Sequence, residues 1–467
     1  MRPVIPVKTT LTVLTFAALL LVPQAFPSLR NYISIEPKSA VAVVTFPLKP
    51  AATDAQVDPL ASPENLSASL NKRLLAKAPK NLLDPAHVLD HFYEALLKGD
   101  GVHIIHYGDS PTTADLITAD ARALFQHEFG DGGVGFVLMA RPWAWYNHRG
   151  IDMSGSNWKI DVGGNSAIRD GLNGLGAVSF RGAPGAVSHW KVKTAHRSVE
   201  IAYLAEPQGG TFEVEADGNP IGTGSSTVVA EERPFAPGYA TFDIPPGTAE
   251  IALKVTSGSV RFYGADFRKG AGVVYSSLGI NGANVTLLSN AFNEAHWTDE
   301  LRHYKPNLII VNYGTNESGF PGFVDNTWGR EMRKAVARLQ RAMPDASILL
   351  MSPMDRGAKG ANGEIDTIPT MPRLVATESK IAADTGVAFF DTFEAMGGSG
   401  TMGRWYTSEP RLVGSDYIHP MPAGARIVGE LLFSALREGF NQFKLERLKR
   451  NIVGQTDSTG REGNRQP

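Results

Sequence analysis

The sequence predicts an α/β fold in which a parallel sheet with helices on both faces is interrupted by an inserted all-β sandwich. Apolar, β-branched runs alternate with helical patterns in the first and last parts of the chain, which is typical of a parallel sheet covered on both faces. Between about residues 151 and 270 the helical period disappears and short alternating runs follow one another, as in a β-sandwich. The length of 467 residues allows two or three such units.

Four apolar runs predict strands of the parallel sheet, and each ends in small or polar residues: 102–107, 307–318, 346–357 and 386–397. Helical patterns accompany them at 84–101, 113–130, 330–343 and 373–386. Binding groups in such sheets lie at the carboxyl ends of the strands. Ser110 and Asn316 both follow a predicted strand, so we expect them to share one edge of the sheet.

Six short runs, separated by Gly, Pro and Asp-Gly, predict the strands of the sandwich: 189–195, 198–205, 210–218, 239–247, 249–258 and 259–267. We therefore assign the sandwich to 151–270 and expect the α/β domain in two parts, 83–150 and 271–450. The last helix is expected to end near residue 450. The polar residues 451–467 are expected to form a disordered tail.

The N-terminus has the pattern of an export signal or of a single membrane anchor. Two basic residues precede an apolar run, and residues 9–29 carry no charge, a length that just spans a bilayer. We interpret 1–30 as a signal peptide or anchor, and 31–82 as a linker with one short helix near 65–77. The body of the protein is then expected outside the cytoplasm, either periplasmic, secreted or held at the cell envelope.

Composition narrows the possible functions. The formal net charge is −2, so no basic field argues for a nucleic-acid partner. The chain contains no cysteine, which excludes disulfides, thiolate metal sites and cysteine nucleophiles. His103 and His106 alternate on a predicted strand without partners at metal-binding spacing, so we interpret them as packed histidines. No metal or organic cofactor is predicted.

Two further features concern the surroundings of a site. The glycine-rich stretch 130–137 follows a helix, which argues against a phosphate-binding loop, and we expect a flexible loop over the site instead. Aromatic residues in two other segments either stack on sugar rings or pack in the core: Trp143, Trp145, Tyr146, Trp405 and Tyr406.

A serine, a histidine and two aspartates supply the groups that nucleophilic catalysis needs. Asp416 and His419 stand three residues apart, so the carboxylate can hold the imidazole in the tautomer that accepts a proton from a serine. Alone, Ser110 would be a helix N-cap and Asp109 a turn residue bonded to the backbone. Together these residues favour a Ser-His-Asp triad. The N–H of Ser110, a glycine N–H and the Asn316 amide are candidate donors to an oxyanion.

The order of four short motifs resembles that of the SGNH (GDSL) hydrolase superfamily. The motifs are Gly108-Asp109-Ser110, a loop glycine in SLGINGAN at 277–284, Gly314-Thr315-Asn316, and Asp416-Tyr417-Ile418-His419. The resemblance covers roughly residues 100–440, apart from the insert. It implies a flavodoxin-like sheet of the SGNH type and Ser110 as the nucleophile, with Asp416 and His419 as its partners. It also implies an oxyanion hole made by Ser110, Gly282 and Asn316.

The inserted sandwich narrows the resemblance to bacterial peptidoglycan and polysaccharide O-acetylesterases, in which a β-sandwich similar to a carbohydrate-binding module interrupts the catalytic domain. The implied function is an exported serine esterase that removes O-acetyl groups from an acetylated polysaccharide such as peptidoglycan. Two alternatives stay open: a polysaccharide O-acetyltransferase with the same triad, and an inactive glycan-binding surface protein. Pro111 and Glu317 depart from the family pattern, and both bear on the substrate subclass.

Overall fold

The structure, a computed structural model, describes residues 81–164, 169–228 and 233–462, with only the backbone described for 451–462. The expected export signal at 1–30, the helix near 65–77 and all but the end of the linker 31–82 lie outside these residues. No helix in the described ranges combines the length and the apolar character needed to cross a membrane.

The central sheet has six strands in the order β1-β19-β16-β15-β2-β14. Their bounds are Leu82–Leu83 (β1), Val102–Gly108 (β2), Val273–Gly279 (β14), Leu308–Asn312 (β15), Ser347–Met351 (β16) and Ala388–Phe390 (β19). Every neighbouring pair is parallel except β1 and β19. The predicted α/β class with a parallel sheet is therefore confirmed.

The helices lie on both faces of this sheet, as is usual for parallel strands joined by crossovers. They are Asp90–Lys98 (α1), Ser110–Thr113 (α2), Ile117–Phe129 (α3), Glu294–Tyr304 (α4), Pro321–Phe323 (α5), Gly329–Ala342 (α6), Thr370–Thr385 (α7), Thr392–Ala395 (α8), Thr401–Thr407 (α9) and Pro422–Glu462 (α10). A short hairpin, Gly357–Lys359 (β17) with Ile365–Thr367 (β18), lies between β16 and α7.

Side chains of β2 alternate between two apolar cores, because successive residues of a strand point to opposite faces. Ile105 and Tyr107 belong to a core that also contains side chains of α4, α6 and α7. Val102 and Ile104 belong to a second core, with side chains of α1, α3 and α10. Both faces of β2 are thus covered, and the strand is held rigidly up to its carboxyl end.

Two antiparallel sheets form the inserted sandwich, which confirms that part of the predicted fold. One has the order β10-β9-β12-β7-β4, and the other has the order β11-β8-β13-β6-β5, with β3 also pairing with β13. The bounds are Gly135–Val137 (β3), Ile151–Ser156 (β4), Lys159–Val162 (β5), Val178–Gly182 (β6), Val187–Val192 (β7), Ser198–Ala205 (β8), Thr211–Ala216 (β9), Asn219–Ser225 (β10), Ala236–Asp243 (β11), Glu250–Ser257 (β12) and Val260–Arg268 (β13).

The sequence analysis missed two strands of the central sheet, the two-residue β1 and the longer β14. β14 pairs with β2 in parallel, with Val273 opposite Val102 and Gly279 opposite Gly108. Two serines interrupt its apolar run, VVYSSLG, so that run is shorter than those of β15 and β16. Both serines are buried and hydrogen-bonded: the Ser276 Oγ to His103 Nε2 at 2.8 Å, and the Ser277 Oγ to the Thr112 carbonyl at 3.0 Å.

The glycine-rich segment 130–137 does not cover the site, and that expectation is wrong. Gly132 N–H donates to the Val273 carbonyl over 3.1 Å, and Val273 is the residue opposite Val102 at the start of β2. Because β2 runs for seven residues before Ser110, the start of the segment lies roughly 20 Å away, and its later residues pack on the middle of β14, where Phe136 N–H donates to Ser276 Oγ. Its glycines permit close backbone packing there.

Two helix boundaries also differ from expectation. The helix expected over 113–130 is divided into α2 and α3 at Asp115, whose φ is +52°, a conformation that aspartate tolerates better than most residues. The last helix, α10, continues to Glu462 instead of ending near 450. No proline interrupts the sequence between 423 and 462, so nothing there forces a helix to stop.

Candidate active site

Ser110 begins α2 immediately after β2, and Gly108 allows the sharp transition. A Cβ atom at Gly108 would lie 2.2 Å from the Thr112 Oγ1 and 3.2 Å from the Asn312 carbonyl oxygen, so no larger residue fits. The chain therefore turns directly from β2 into a short helix. Ser110 is partly exposed at the carboxyl edge of the sheet, where sequence analysis placed it.

The structure brings the three predicted triad residues together. Ser110 Oγ lies 2.8 Å from His419 Nε2, and His419 Nδ1 lies 2.6 Å from Asp416 Oδ2. Ser110 and His419 are 309 residues apart in the chain. A carboxylate on one ring nitrogen and a hydroxyl on the other is the arrangement in which a histidine can act as a general base.

A tight loop holds Asp416 and His419 in this arrangement. Gly414 N–H donates to the His419 carbonyl over 2.8 Å, which closes the loop on itself, and Gly357 N–H donates to the Tyr417 carbonyl over 3.0 Å. Asp416 Oδ1 accepts the N–H groups of Ile418 and His419, each at 3.1 Å. The imidazole is thus fixed through both its ring and its own backbone.

The electrostatics of Asp416 suit a triad. Its partial burial would raise the pKa of the carboxyl, but hydrogen bonds from the His419 ring and from the N–H groups of Ile418 and His419 lower the pKa below its usual range. The carboxylate therefore stays ionised at neutral pH. It can then stabilise the positive charge that His419 acquires when it takes a proton from Ser110.

The two remaining candidates for the oxyanion hole, Gly282 and Asn316, lie on loops that touch each other. Asn316 Nδ2 donates to the Ala283 carbonyl over 2.7 Å, which uses one of the two N–H groups of the amide and leaves the other available. Gly282 has a φ of +74° and is exposed. The chain just before Gly282 is hydrogen-bonded to the segment that carries Ser110, because Ile280 N–H donates to the Gly108 carbonyl over 3.0 Å.

Two buried carboxyl groups lie beneath this edge of the sheet. Burial raises the pKa of Asp109 to about 6, against smaller opposing effects of Thr315 and His419. Burial also raises the pKa of Glu317 to about 7, against hydrogen bonds from Val285 and Gly314 and with Asp109 nearby. The sequence analysis treated Asp109 as a turn residue and Glu317 only as a departure from the family pattern. The useful signal was a charged residue directly after Asn316, in a segment (307–323) without other charges.

The aromatic residues singled out in the sequence divide between core and surface. Trp405 and Tyr146 are buried, and the Tyr146 hydroxyl accepts the Leu138 N–H at 3.1 Å. Trp145 is 73% exposed. Its loop reaches α2, because Asn147 N–H donates to the Thr113 carbonyl over 3.3 Å. Trp143 packs edge-to-face on Tyr146 and against the first core, and Tyr406 packs edge-to-face on Tyr417 of the Asp416 loop, with their ring centroids 4.9 Å apart.

His103 and His106 are buried in β2. His103 Nε2 is 2.8 Å from Ser276 Oγ, and its Nδ1 is 3.0 Å from the Tyr304 carbonyl oxygen. His106 Nδ1 is 2.7 Å from the Tyr275 hydroxyl. Burial lowers the pKa of His103 to about 4 and that of His106 to about 3, so both stay neutral. Their hydrogen bonds join β2 to β14 and to the end of α4.

Comparison with known proteins agrees with this geometry. Residues 252–427 match the GDSL-like lipase/acylhydrolase family, a range that contains Gly282, Asn316, Asp416 and His419. Ser110 precedes the range because the sandwich separates it from the other motifs. A search of curated proteins finds no match.

Among solved structures, a peptidoglycan O-acetylesterase superposes with a TM-score of 0.64 at 21% identity, covering 77% of this chain and 99% of that one. A family 2 carbohydrate esterase with a carbohydrate-binding domain from Corynascus thermopiles (Myceliophthora fergusii) gives a TM-score of 0.28 at 15% identity, covering 60% and 98%.

Residues 252–427 therefore resemble the GDSL-like lipase/acylhydrolase family, and the fold of the chain is similar to that of an SGNH-type hydrolase. The predicted enzyme class is thereby confirmed. Its fold resembles that of the peptidoglycan O-acetylesterase.

Proposed function

We propose that the protein is an exported serine esterase that removes O-acetyl groups from a cell-envelope or extracellular polysaccharide such as peptidoglycan. The observation that carries this proposal is the continuous chain of hydrogen bonds from Asp416 through His419 to Ser110, with distances of 2.6 and 2.8 Å. A serine hydroxyl is a weak nucleophile until a base removes its proton, and here the base is in place.

In the proposed reaction, His419 Nε2 takes the Ser110 proton while Ser110 Oγ attacks the ester carbonyl carbon. The N–H groups of Ser110 and Gly282 and the side-chain amide of Asn316 donate to the resulting oxyanion. Collapse of the tetrahedral intermediate breaks the bond to the sugar oxygen, which receives the proton from His419. Water, deprotonated by His419, then attacks the acyl-serine; the bond to Ser110 Oγ breaks, Oγ takes the proton back from His419, and acetate is released. His419 handles every proton transfer, so these steps require no metal or organic cofactor.

Exposure of the triad favours hydrolysis over transfer. The side chain of His419 is 48% exposed and that of Asp416 is 46% exposed, so water can reach the acyl-serine directly. A transferase with the same triad must keep water away from the acyl-enzyme while an acceptor sugar binds. The open site therefore supports an esterase as the first candidate and leaves the transferase as the second.

A polysaccharide substrate is supported by two observations. The name of the structural relative refers to peptidoglycan and to O-acetyl esters. Trp145 is 73% exposed on a loop that contacts α2, the helix that begins with Ser110, and an exposed aromatic side chain can pack against a sugar ring. The apolar N-terminal run is consistent with export to the compartment in which these polymers lie.

The first experiment compares turnover of p-nitrophenyl acetate by the full chain and by Ser110→Ala. Loss of the nucleophile should lower kcat by about 10³-fold or more, with an unchanged melting temperature. Turnover that persists in Ser110→Ala at the wild-type rate would remove Ser110 from the mechanism.

The second experiment compares the rate of acetate release from O-acetylated peptidoglycan with that from acetylated xylan. We expect the rate to be higher with peptidoglycan. Added oligosaccharide acceptors test the second candidate, because acetylated acceptor in place of free acetate would identify a transferase. Glycan binding without any turnover would identify a binding protein.

A further inference from the structure

Glu317 connects the two loops that carry the oxyanion-hole candidates. Its Oε1 accepts the Val285 N–H at 2.8 Å, and its Oε2 accepts the Gly314 N–H at 3.1 Å. Val285 is three residues beyond Gly282, and Gly314 is two residues before Asn316. One carboxylate thus binds both loops through the backbone.

A third hydrogen bond joins the same loops. Asn316 Nδ2 donates to the Ala283 carbonyl over 2.7 Å. Glu317 and Asn316 are consecutive, and each contacts a residue within three positions of Gly282. The separation between the Gly282 N–H and the Asn316 amide is therefore set by three hydrogen bonds, two of which depend on the carboxylate of Glu317.

Burying the carboxylate of Glu317 costs free energy that a residue with only a packing role would not require. Its side chain is buried, with the residue 3% exposed, and no salt bridge compensates it within the described part of the chain. A buried carboxylate without a cation costs several kcal/mol unless its hydrogen bonds offset the lost hydration. The two loop N–H groups provide that compensation, and only the ionised form can accept from both at full strength.

We propose that Glu317 is a positioning residue that sets the geometry of the oxyanion hole, an inference that rests on the proposed esterase function. Donors to an oxyanion are effective only within a few tenths of an ångström of their required positions. When the carboxylate bridge is removed, the Gly282 loop and the Asn316 loop separate. Binding of the substrate in its ground state changes little.

The ionisation of Glu317 adds a pH dependence to this role. The titratable groups that face it are Asp109, Tyr313 and Glu378. Burial raises the pKa of Glu317 to about 7. A protonated Glu317 keeps one acceptor oxygen and leaves one of the two N–H groups without a partner, so the oxyanion hole weakens as pH falls through this range.

The test compares Glu317→Gln and Glu317→Asp with Glu378→Gln, a matched control. Glu378 is also a buried glutamate near this site, on α7, but its carboxylate oxygens hydrogen-bond to neither loop in the described structure. With p-nitrophenyl acetate, both Glu317 variants should lower kcat by about 10- to 100-fold and leave KM within about 3-fold. Glu378→Gln should keep kcat within about 2-fold. The wild-type pH–kcat profile should contain an ionisation that is missing in Glu317→Gln.

A second measurement needs no variant and no turnover. In amide NMR spectra of the wild-type protein, the N–H signals of Val285 and Gly314 should shift together through one titration near neutral pH. This result would support the bridge even if Glu317→Gln failed to fold.

A folded Glu317→Gln with wild-type kcat, or amide signals of Val285 and Gly314 that do not titrate together, would overturn the inference. Ser110→Ala distinguishes this failure from failure of the proposed function. If only the inference about Glu317 is wrong, Ser110→Ala is still inactive while Glu317→Gln is active. If the proposed function is wrong, Ser110→Ala is as active as wild type.

Discussion

Asp416 Oδ2 lies 2.6 Å from His419 Nδ1 while Asp416 Oδ1 accepts the backbone N–H of the same histidine at 3.1 Å. One carboxylate therefore fixes both the ring and the main chain of the proposed base. The spacing of three residues between them makes this double contact possible, because the intervening chain folds back as a single turn.

Asp416→Asn tests this contact. An asparagine that donates to Nδ1 would favour the tautomer with a proton on Nε2, which cannot accept the Ser110 proton. We expect kcat to fall by about 10³- to 10⁴-fold with little change in melting temperature, since the side chain is nearly half exposed. Glu250→Gln is the control, because its Oε1 lies 2.9 Å from His189 Nδ1 on the sandwich. Equal activity of Asp416→Asn and wild type would contradict the triad.

Gly282→Ala tests the loop glycine. Its φ is +74° and a Cβ would meet nothing within 4 Å, so the substitution adds backbone strain of about 1 kcal/mol without a clash. Relief of that strain should turn the Gly282 N–H and lower kcat by about 10-fold. Gly247→Ala is the matched control on the sandwich, with a φ of +87° and equally open space.

Both glycine variants should lose similar stability by chemical denaturation, and only Gly282→Ala should lose activity. A Gly282→Ala protein as active as Gly247→Ala would exclude this N–H from the reaction.

Arg122→Met tests the buried ion pair that supports the turn after the nucleophile. Arg122 Nη2 lies 2.6 Å from Asp115 Oδ2, and Thr118 Oγ1 and the Arg149 N–H also donate to Asp115. Burial alone would raise the pKa of Asp115, but Arg122 outweighs it and holds the pKa far below the usual value. Removing Arg122 leaves a buried charge unpaired, and we expect a loss of about 3–5 kcal/mol in the free energy of unfolding.

Two further variants show whether the loss in Arg122→Met comes from the unpaired buried charge. The double variant Asp115→Asn with Arg122→Met should recover part of the lost stability, because it removes the stranded charge. Lys380→Met breaks an exposed pair with Asp384 and should cost less than about 1 kcal/mol. Equal losses for Arg122→Met and Lys380→Met in urea unfolding would show that the buried pair has no special role.

Asp109→Asn tests the raised pKa of that carboxyl. Burial raises its folded pKa to about 6, above the usual 3.8, so its contribution to stability is complete below the unfolded pKa and is lost as pH rises through 6. The asparagine cannot ionise and escapes this loss. Between about pH 4 and pH 7 the free energy of unfolding of Asp109→Asn should gain about 3 kcal/mol relative to wild type. Parallel stability curves for the two proteins would mean that Asp109 is not shifted.

The parallel sheet and the triad could be predicted from the sequence because their signals are local. β15 and β16 contain unbroken apolar runs, β2 is apolar around its two histidines, and Asp416 and His419 stand within one turn. β14 could not be assigned in the same way, since its buried serines depend on partners in β2 and α2 for their hydrogen bonds. The bridge made by Glu317 could not be predicted either, because Val285 lies 32 residues away and no sequence pattern near Glu317 indicates that contact.

The apolar side chains of the sandwich and those on one face of the central sheet form a single continuous cluster. Phe136 of β3 packs edge-to-face against Tyr304 of α4, for example, with ring centroids 5.7 Å apart. The sandwich is consequently not an independent unit, because its deletion would expose the apolar side chains on one face of the central sheet. The two halves should melt in one transition, and any evolutionary loss of the sandwich would have had to be accompanied by a rebuilt surface beneath it.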